Sequence, residues 1–193
     1  KTHKRNKLQG QSGKLGPIDI IAPGDLIHMD QAESSTPGRP LTYSGKHNKN
    51  KISIVTLLVD KISKQIFVEF QQTTSSEDTL KRKIQMEMDA YKDKVKIKAF
   101  HADNGVFQAH KFRIHLEKLK QNITLCGVGA HHQNGIADRN IRTIIEKART
   151  ILLHAHAHWS TKLNMELWTF AVRYIVDQWN DTPRKDLNNN TPN

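Results

Sequence analysis

Three aspartates lie at positions where the charge of a carboxylate would need a compensating partner. Asp30 follows a short apolar run, Asp103 ends a later one, and Asp138 lies near the start of a long amphipathic stretch. A carboxylate in or beside a buried strand is costly unless cations or hydrogen-bond donors compensate its charge. Mg²⁺ prefers such oxygen ligands. Three acids that converge from separate elements on two metal ions, roughly 3.5–4 Å apart, are suited to phosphoryl transfer.

Spacing alone does not select these three acids, because the chain has 19 Asp and Glu residues. Their positions in the predicted elements do. Hydrophobic periodicity predicts strands at 25–31, 52–59, 65–70, 95–101 and 123–128, and helices at 75–91, 107–120, 134–156 and 162–179. Asp30 then lies in the first strand, Asp103 just after the fourth, and Asp138 early in the third helix. The element order predicts an α/β fold with a mixed sheet flanked by helices.

Two local predictions concern segments outside the sheet. The first helix places Leu80, Ile84, Met88 and Tyr91 on one face, which predicts its apolar side. Residues 34–50 are rich in Gly, Pro, Ser and Asn and are predicted to form an exposed loop. Asp60, between two strands, is predicted to form a turn rather than to act as a fourth metal ligand.

The composition favours a polyanionic partner. Thirty Lys and Arg against 19 Asp and Glu leave a net charge of +11, and this surplus favours nucleic acid through counterion release. Residues 1–24 contain five Lys or Arg and one acid, with scattered Gly and Pro, and are predicted to form a basic linker or arm. Cys126 is the only cysteine, so no disulfide or cysteine-based zinc site is expected. No apolar run approaches a membrane span, and an intracellular location is expected.

Four motifs resemble those of one enzyme family. They are His-Met-Asp-Gln at 28–31, His-Ala-Asp-Asn-Gly at 101–105, His-His-Gln-Asn-Gly-Ile-Ala-Asp-Arg at 131–139, and Asn-Asp-Thr-Pro at 180–183. Together they resemble the catalytic core of a copia-type LTR retrotransposon integrase. The likeness covers residues 25–193, with the last residues resembling a truncated C-terminal extension.

The resemblance implies a ribonuclease H-like fold with a five-stranded mixed sheet. It implies that Asp30, Asp103 and Asp138 hold two Mg²⁺ or Mn²⁺ ions and catalyse 3′-end processing and DNA strand transfer. Element ends and target DNA would be the substrates, a homo-oligomer the working form, and the nucleus the place of action on chromosomal DNA.

Four further residues are candidates for DNA contact by the same resemblance: Gln133, Asn134, Arg139 and Arg142. The alternative is that the arginines are solvated surface charges and the amides are loop or cap residues. His154 and His158, four residues apart, have the spacing of a zinc pair. Surface packing and stabilisation of the helix end are favoured for them.

One family position is altered. Integrases of this type have Glu where this chain has Asp138, and the missing methylene removes about 1.5 Å of reach. Glu146 cannot substitute, because it lies about 12 Å further along the helix axis. The sequence therefore favours an integrase core with impaired activity over one that tolerates Asp. A catalytically inactive DNA-binding remnant and a plain ribonuclease H-type nuclease are the alternative functions.

Overall fold

A five-stranded mixed sheet forms the centre of the computed structural model, which describes residues 19–41, 50–127, 134–159 and 163–192. The strands are β1 (Ile27–Gly38), β2 (Ile52–Asp60), β3 (Ile66–Gln71), β4 (Ala99–Ala102) and β5 (Asn122–Leu125). Their order across the sheet is β3-β2-β1-β4-β5. The first three strands form an antiparallel meander, while β4 and β5 run parallel to β1. The ribonuclease H-like topology predicted from the sequence is confirmed.

Helices cover both faces of the sheet. They are α1 (Ser76–Lys92), α2 (His110–Lys118), α3 (Gly135–Trp159) and α4 (Trp168–Asp181). The α1 helix begins where expected, because Ser75 caps it by accepting a hydrogen bond from the backbone N–H of Asp78 at 3.2 Å. Among the described residues, no helix has both the length and the apolar character needed to cross a bilayer.

Each face of the sheet has its own apolar core. On one face, α3 and α4 pack against β2 and β3 through Leu57, Val68, Ile144 and Val172. On the other, α1 and α2 pack against β1, β4 and β5 through residues that include Met29, Met86, Phe100 and Leu116. Because side chains alternate along a strand, each strand contributes to both faces.

The first strand is longer than its sequence pattern indicates. The predicted loop at 34–50 is wrong for its first residues, since β1 continues to Gly38; residues 42–49 lie outside the described ranges. Pairing with β2 holds as far as Glu33 and resumes at Gly38 after an irregularity. The α4 helix supports this extension, because the Trp168 indole N–H donates to the Thr36 carbonyl at 2.9 Å.

The apolar face predicted for α1 is also wrong. Ile84, Met88 and Tyr91 are exposed, and the buried positions of the helix are Thr79, Lys83, Met86 and Ala90. The buried face includes Lys83 because buried groups of the fold pair with its ammonium. The Lys83 ammonium donates to Gln121 Oε1 at 2.6 Å and pairs with Glu87 at 2.8 Å. It also lies 5.2 Å from the centre of the Phe100 ring.

Glu69 on β3 has a raised pKa. Burial raises its pKa to about 7, from an ordinary value of 4.5, and Asp89 adds to this while Arg82 and Arg173 oppose it. A raised pKa in the folded state means that the unfolded chain loses this proton at lower pH. The contribution of Glu69 to stability therefore falls as pH rises from 4.5 to about 7, and changes little above that.

We predict that Glu69→Gln removes this pH dependence. The variant and the original chain should have similar urea midpoints at pH 4.5, whereas at pH 8 the variant should have the higher midpoint. Equilibrium unfolding followed by circular dichroism at both pH values measures the difference. Glu77→Gln, at an exposed site on α1, is the control and should show no such trend. A Glu69→Gln effect that is equal at both pH values would contradict the assigned protonation.

Candidate active site

One face of the sheet is polar where the first residues of β1 lie beside the carboxyl ends of β4 and β5. Strand alternation places six side chains there: His28, Asp30, His101, Asp103, Thr124 and Cys126. Their neighbours Met29, Phe100 and Ala102 point into the core on the opposite face. In the parallel register His28 pairs with His101. Asp30 and Asp103 each follow two residues later, with Asp103 just beyond the end of β4. Adjacent strands lie about 4.8 Å apart, which brings the two carboxylates together.

The carboxylates of Asp30 and Asp103 both raise the pKa of one neighbouring thiol. Burial raises the pKa of the Cys126 thiol, and the charges of Asp103 and Asp30 raise it further. Asp103 is held in a turn, where its Oδ1 accepts from the Gly105 N–H at 3.1 Å. The adjacent Asn104 amide donates to the Cys126 carbonyl at 2.5 Å, which ties the turn to the end of β5. Cys126 is buried.

A pair of histidines lies beside these carboxylates. The rings of His28 and His101 meet edge to face with 5.2 Å between their centres. His101 Nδ1 lies 2.7 Å from Thr124 Oγ1, and its Nε2 lies 3.7 Å from Cys126 Sγ. Burial lowers the pKa of His28 to about 4, so this imidazole is neutral near pH 7. Our sequence reasoning missed both histidines as site residues, although each stands two residues before an aspartate and so shares its face.

The third aspartate is on α3, whose first turn is joined to β1. Asn134 is 3% exposed, and its amide Nδ2 donates to the Met29 carbonyl at 2.7 Å. In this position the buried Asn134 side chain connects the helix to the strand that carries Asp30, and its expected contact with DNA stays a prediction. Gln133, the other amide expected to contact DNA, lies outside the described residues.

Asp138 lies in the first turn of α3 and is exposed. Its Oδ2 is 3.4 Å from the Arg142 guanidinium, one turn further along the helix. Arg139 and Arg142 are both exposed, as a role in binding phosphate requires. The ion pair shows that Arg142 lies beside the third acid.

The donor set at this edge of the sheet suits a hard cation, since Asp30 and Asp103 are carboxylates that are only partly buried. Across the described ranges, however, no group of three or more His, Cys, Asp or Glu side chains is arranged to hold a metal ion. Two of the three expected ligands are thus adjacent by strand register, and Asp138 is paired with Arg142.

The remaining sequence candidates have structural roles. Asp60 forms the predicted turn, because its Oδ1 accepts from the backbone N–H groups of Ile62 and Ser63, each at 2.7 Å. His154 and His158 stack on the surface of α3 with 6.3 Å between ring centres. His158 Nδ1 lies 2.9 Å from the His154 carbonyl, a contact within one helix turn.

Comparison with known proteins identifies the fold. The chain matches the HTLV-2 integrase catalytic core domain in complex with magnesium (trimeric form) with a TM-score of 0.63 and 16% identity, over 89% of this chain and 95% of that one. It matches the BIV integrase catalytic core domain with a TM-score of 0.56 and 16% identity, over 88% and 91%. The fold is that of integrase catalytic cores.

A third match covers only part of a longer chain. A chain of the simian T-cell lymphotropic virus intasome, in complex with PP2A regulatory subunit B56 gamma, gives a TM-score of 0.60 and 13% identity. The match covers 89% of this chain but 54% of that one, so the integrase-like core spans about half of the intasome chain. No family model matches the sequence, and no curated protein does.

Proposed function

We propose that this chain is the catalytic core of an integrase that performs metal-dependent polynucleotidyl transfer on DNA. The observation that carries the proposal is that Asp30 and Asp103 each lie two residues beyond the His28–His101 pair of β1 and β4, and that both charges act on the Cys126 thiol. The helix that carries Asp138 begins against the same β1 strand, through Asn134. Reactions of this class, 3′-end processing and strand transfer, need no covalent enzyme intermediate, so positioning and charge carry the catalysis.

Asp30, Asp103 and Asp138 would hold two Mg²⁺ or Mn²⁺ ions. When bound, such ions activate the attacking hydroxyl and stabilise the leaving oxygen. The protein positions its own groups around them. The hydrogen bond from Gly105 N–H orients the Asp103 carboxylate, and that from Gln31 N–H orients Asp30 at 2.8 Å. The exposed guanidinium groups of Arg139 and Arg142 are placed to bind DNA phosphates near Asp138.

A copia-type retrotransposon origin is part of the proposal, and it rests on the motif at 131–139. The partners would be element ends, target DNA and further copies of the chain. The net charge of +11 favours DNA binding. The HTLV-2 cores, described in trimeric and dimeric forms, make self-association a reasonable expectation for this fold.

Asp30→Asn and Asp103→Asn test the proposed activity. We expect each to lower Mg²⁺-dependent strand transfer by roughly a thousandfold or more, because the loss of a metal ligand removes several kcal/mol of charge stabilisation. Joining of a fluorescent duplex with a free 3′-hydroxyl to plasmid DNA is the measurement. Asp177→Asn, at an exposed site on α4, is the matched control. Strand transfer that survives both site substitutions would exclude the proposed centre.

A DNA-binding remnant without catalytic activity is the second candidate. Asp138, in place of Glu and paired with Arg142, is the observation that favours it. It predicts that duplex binding, measured by fluorescence anisotropy, persists while strand transfer is absent in both Mg²⁺ and Mn²⁺. Cleavage of an RNA–DNA hybrid would instead indicate a ribonuclease H-type nuclease.

A further inference from the structure

Two cationic side chains lie over one tryptophan, away from the aspartates. The Lys147 ammonium is 5.4 Å from the centre of the Trp179 ring, and the Arg184 guanidinium carbon is 4.4 Å from it. The two cations are therefore within about 10 Å of each other, each at cation–π distance. Trp179 is itself held in place, because its indole N–H donates to the Lys64 carbonyl at 3.3 Å.

These residues surround a cavity of about 250 Å³. Its lining is Lys147, Ile175, Gln178, Trp179, Thr182 and Arg184, and we refer to it as the Trp179 pocket. Gln178 and Thr182 already donate within this part of the chain: Gln178 Nε2 donates to the Tyr174 hydroxyl at 2.8 Å, and the Thr182 hydroxyl donates to the Gln178 carbonyl at 2.5 Å. The charged donors of the pocket are the Lys147 ammonium and the Arg184 guanidinium, and Lys and Arg are common partners of DNA phosphates. The pocket therefore has the donor chemistry of a phosphate-binding site.

Asp186 offsets part of the positive charge around the pocket. Asp186 accepts from the Arg184 guanidinium at 3.0 and 3.2 Å, which fixes the orientation of the arginine and offsets its charge. Lys147 is exposed, and so is Lys185, next to Arg184 in the chain. Positive charge thus remains at the pocket when Asp186 is counted.

The Trp179 pocket is separate from the candidate active site. Lys147 follows Asp138 by nine residues on α3, which is about 13.5 Å along the axis and half a turn around it. The two residues therefore flank opposite sides of the buried face of α3. DNA that contacts the pocket passes along a different side of the helix from DNA held at Asp138.

We propose that the Trp179 pocket binds the phosphate backbone of duplex DNA as a second contact surface. Lys147 and Arg184 pair with neighbouring phosphates of one strand, while Trp179 holds the two cations at the mouth of the pocket. The net charge of +11 favours a polyanion. DNA is taken as the occupant because the inference rests on the proposed function, in which this chain acts on DNA. Contacts to phosphate alone make this binding independent of base sequence.

The test is binding of the full chain to a fluorescein-labelled duplex of random sequence, in EDTA, over a range of NaCl concentrations. We expect Lys147→Gln to reduce the slope of log affinity against log salt by about one, and the Lys147→Gln/Arg184→Gln double variant by about two. The double variant should bind about tenfold more weakly near 0.1 M salt. Because Lys147 is exposed, its single substitution stays informative if the double variant unfolds.

Lys81→Gln/Lys96→Gln is the matched control, since it removes two exposed positive charges elsewhere. If the control pair weakens binding as much as the pocket pair, or if Lys147→Gln leaves the salt slope unchanged, the proposal is wrong. Polyglutamate is the second probe. If it, and not DNA, depends on Lys147 and Arg184, the pocket binds an acidic protein and the proposal also fails. Catalysis plays no part in EDTA, so absent strand transfer would not affect this result.

Discussion

Asp138→Glu is expected to raise Mg²⁺-dependent strand transfer about a hundredfold, since displacing a catalytic group by about 1 Å costs a factor of that order. The added methylene extends the carboxylate by about 1.5 Å. The structure adds a second reason. Asp138 is paired with Arg142 at 3.4 Å, and the described residues contain no group of three acids, histidines or cysteines arranged for metal. A longer side chain can leave this pair and reach toward Asp30 and Asp103.

The measurement is initial strand-transfer rate for the two chains, in Mg²⁺ and in Mn²⁺. Asp138→Asn is the companion variant: it keeps the size of Asp and removes its charge, so it should be inactive. Arg142→Gln releases Asp138 without lengthening it. Because this substitution also removes a proposed DNA contact, duplex binding of the variant is measured beside its rate. Equal activity of the original chain and the Glu variant would mean that Asp138 already reaches its working position, and the impairment hypothesis would be refuted.

Lys83→Ala is expected to destabilise the fold by about 3–5 kcal/mol, the usual cost of removing one partner from a buried ion pair. The Lys83 side chain is 1% exposed, and burial lowers its pKa, so its charge depends on its partners. Without the ammonium, Glu87 loses its cation and Gln121 Oε1 loses its donor. Urea unfolding measures the change in free energy.

The α1 helix provides a close control for this experiment. Lys81 also pairs with a glutamate at i,i+4 spacing, but the pair with Glu77 is exposed at 68% and 64% and its separation is 3.8 Å. Lys81→Ala should change stability by about 0.5 kcal/mol or less. The double variant Lys83→Met/Glu87→Gln should recover much of the loss, because both charges are then absent. A Lys83→Ala effect as small as that of Lys81→Ala would show that the buried pair contributes no net stability.

The amino-acid sequence by itself determined the order of strands and helices and the placement of the aspartates on them. The reason is local: alternation with a period of two, helical periodicity and the Ser75 cap involve residues close in the chain. The same local alternation places Asp30 and Asp103 on the face that they share with His28 and His101. This order predicted a mixed sheet flanked by helices, the resemblance of the four motifs implied an integrase-like fold, and both expectations are confirmed.

Only the tertiary structure decided which groups these elements bury. Lys83 of α1 is buried because its ammonium donates to Gln121, 38 residues away, and lies over the Phe100 ring. Asn134 is buried because its partner is the Met29 carbonyl, 105 residues away. The extension of β1 depends on Trp168, a residue of α4. Contacts between residues so distant in the chain cannot be read from hydrophobic periodicity. The local sequence around each of these residues is consistent with either a buried or an exposed side chain.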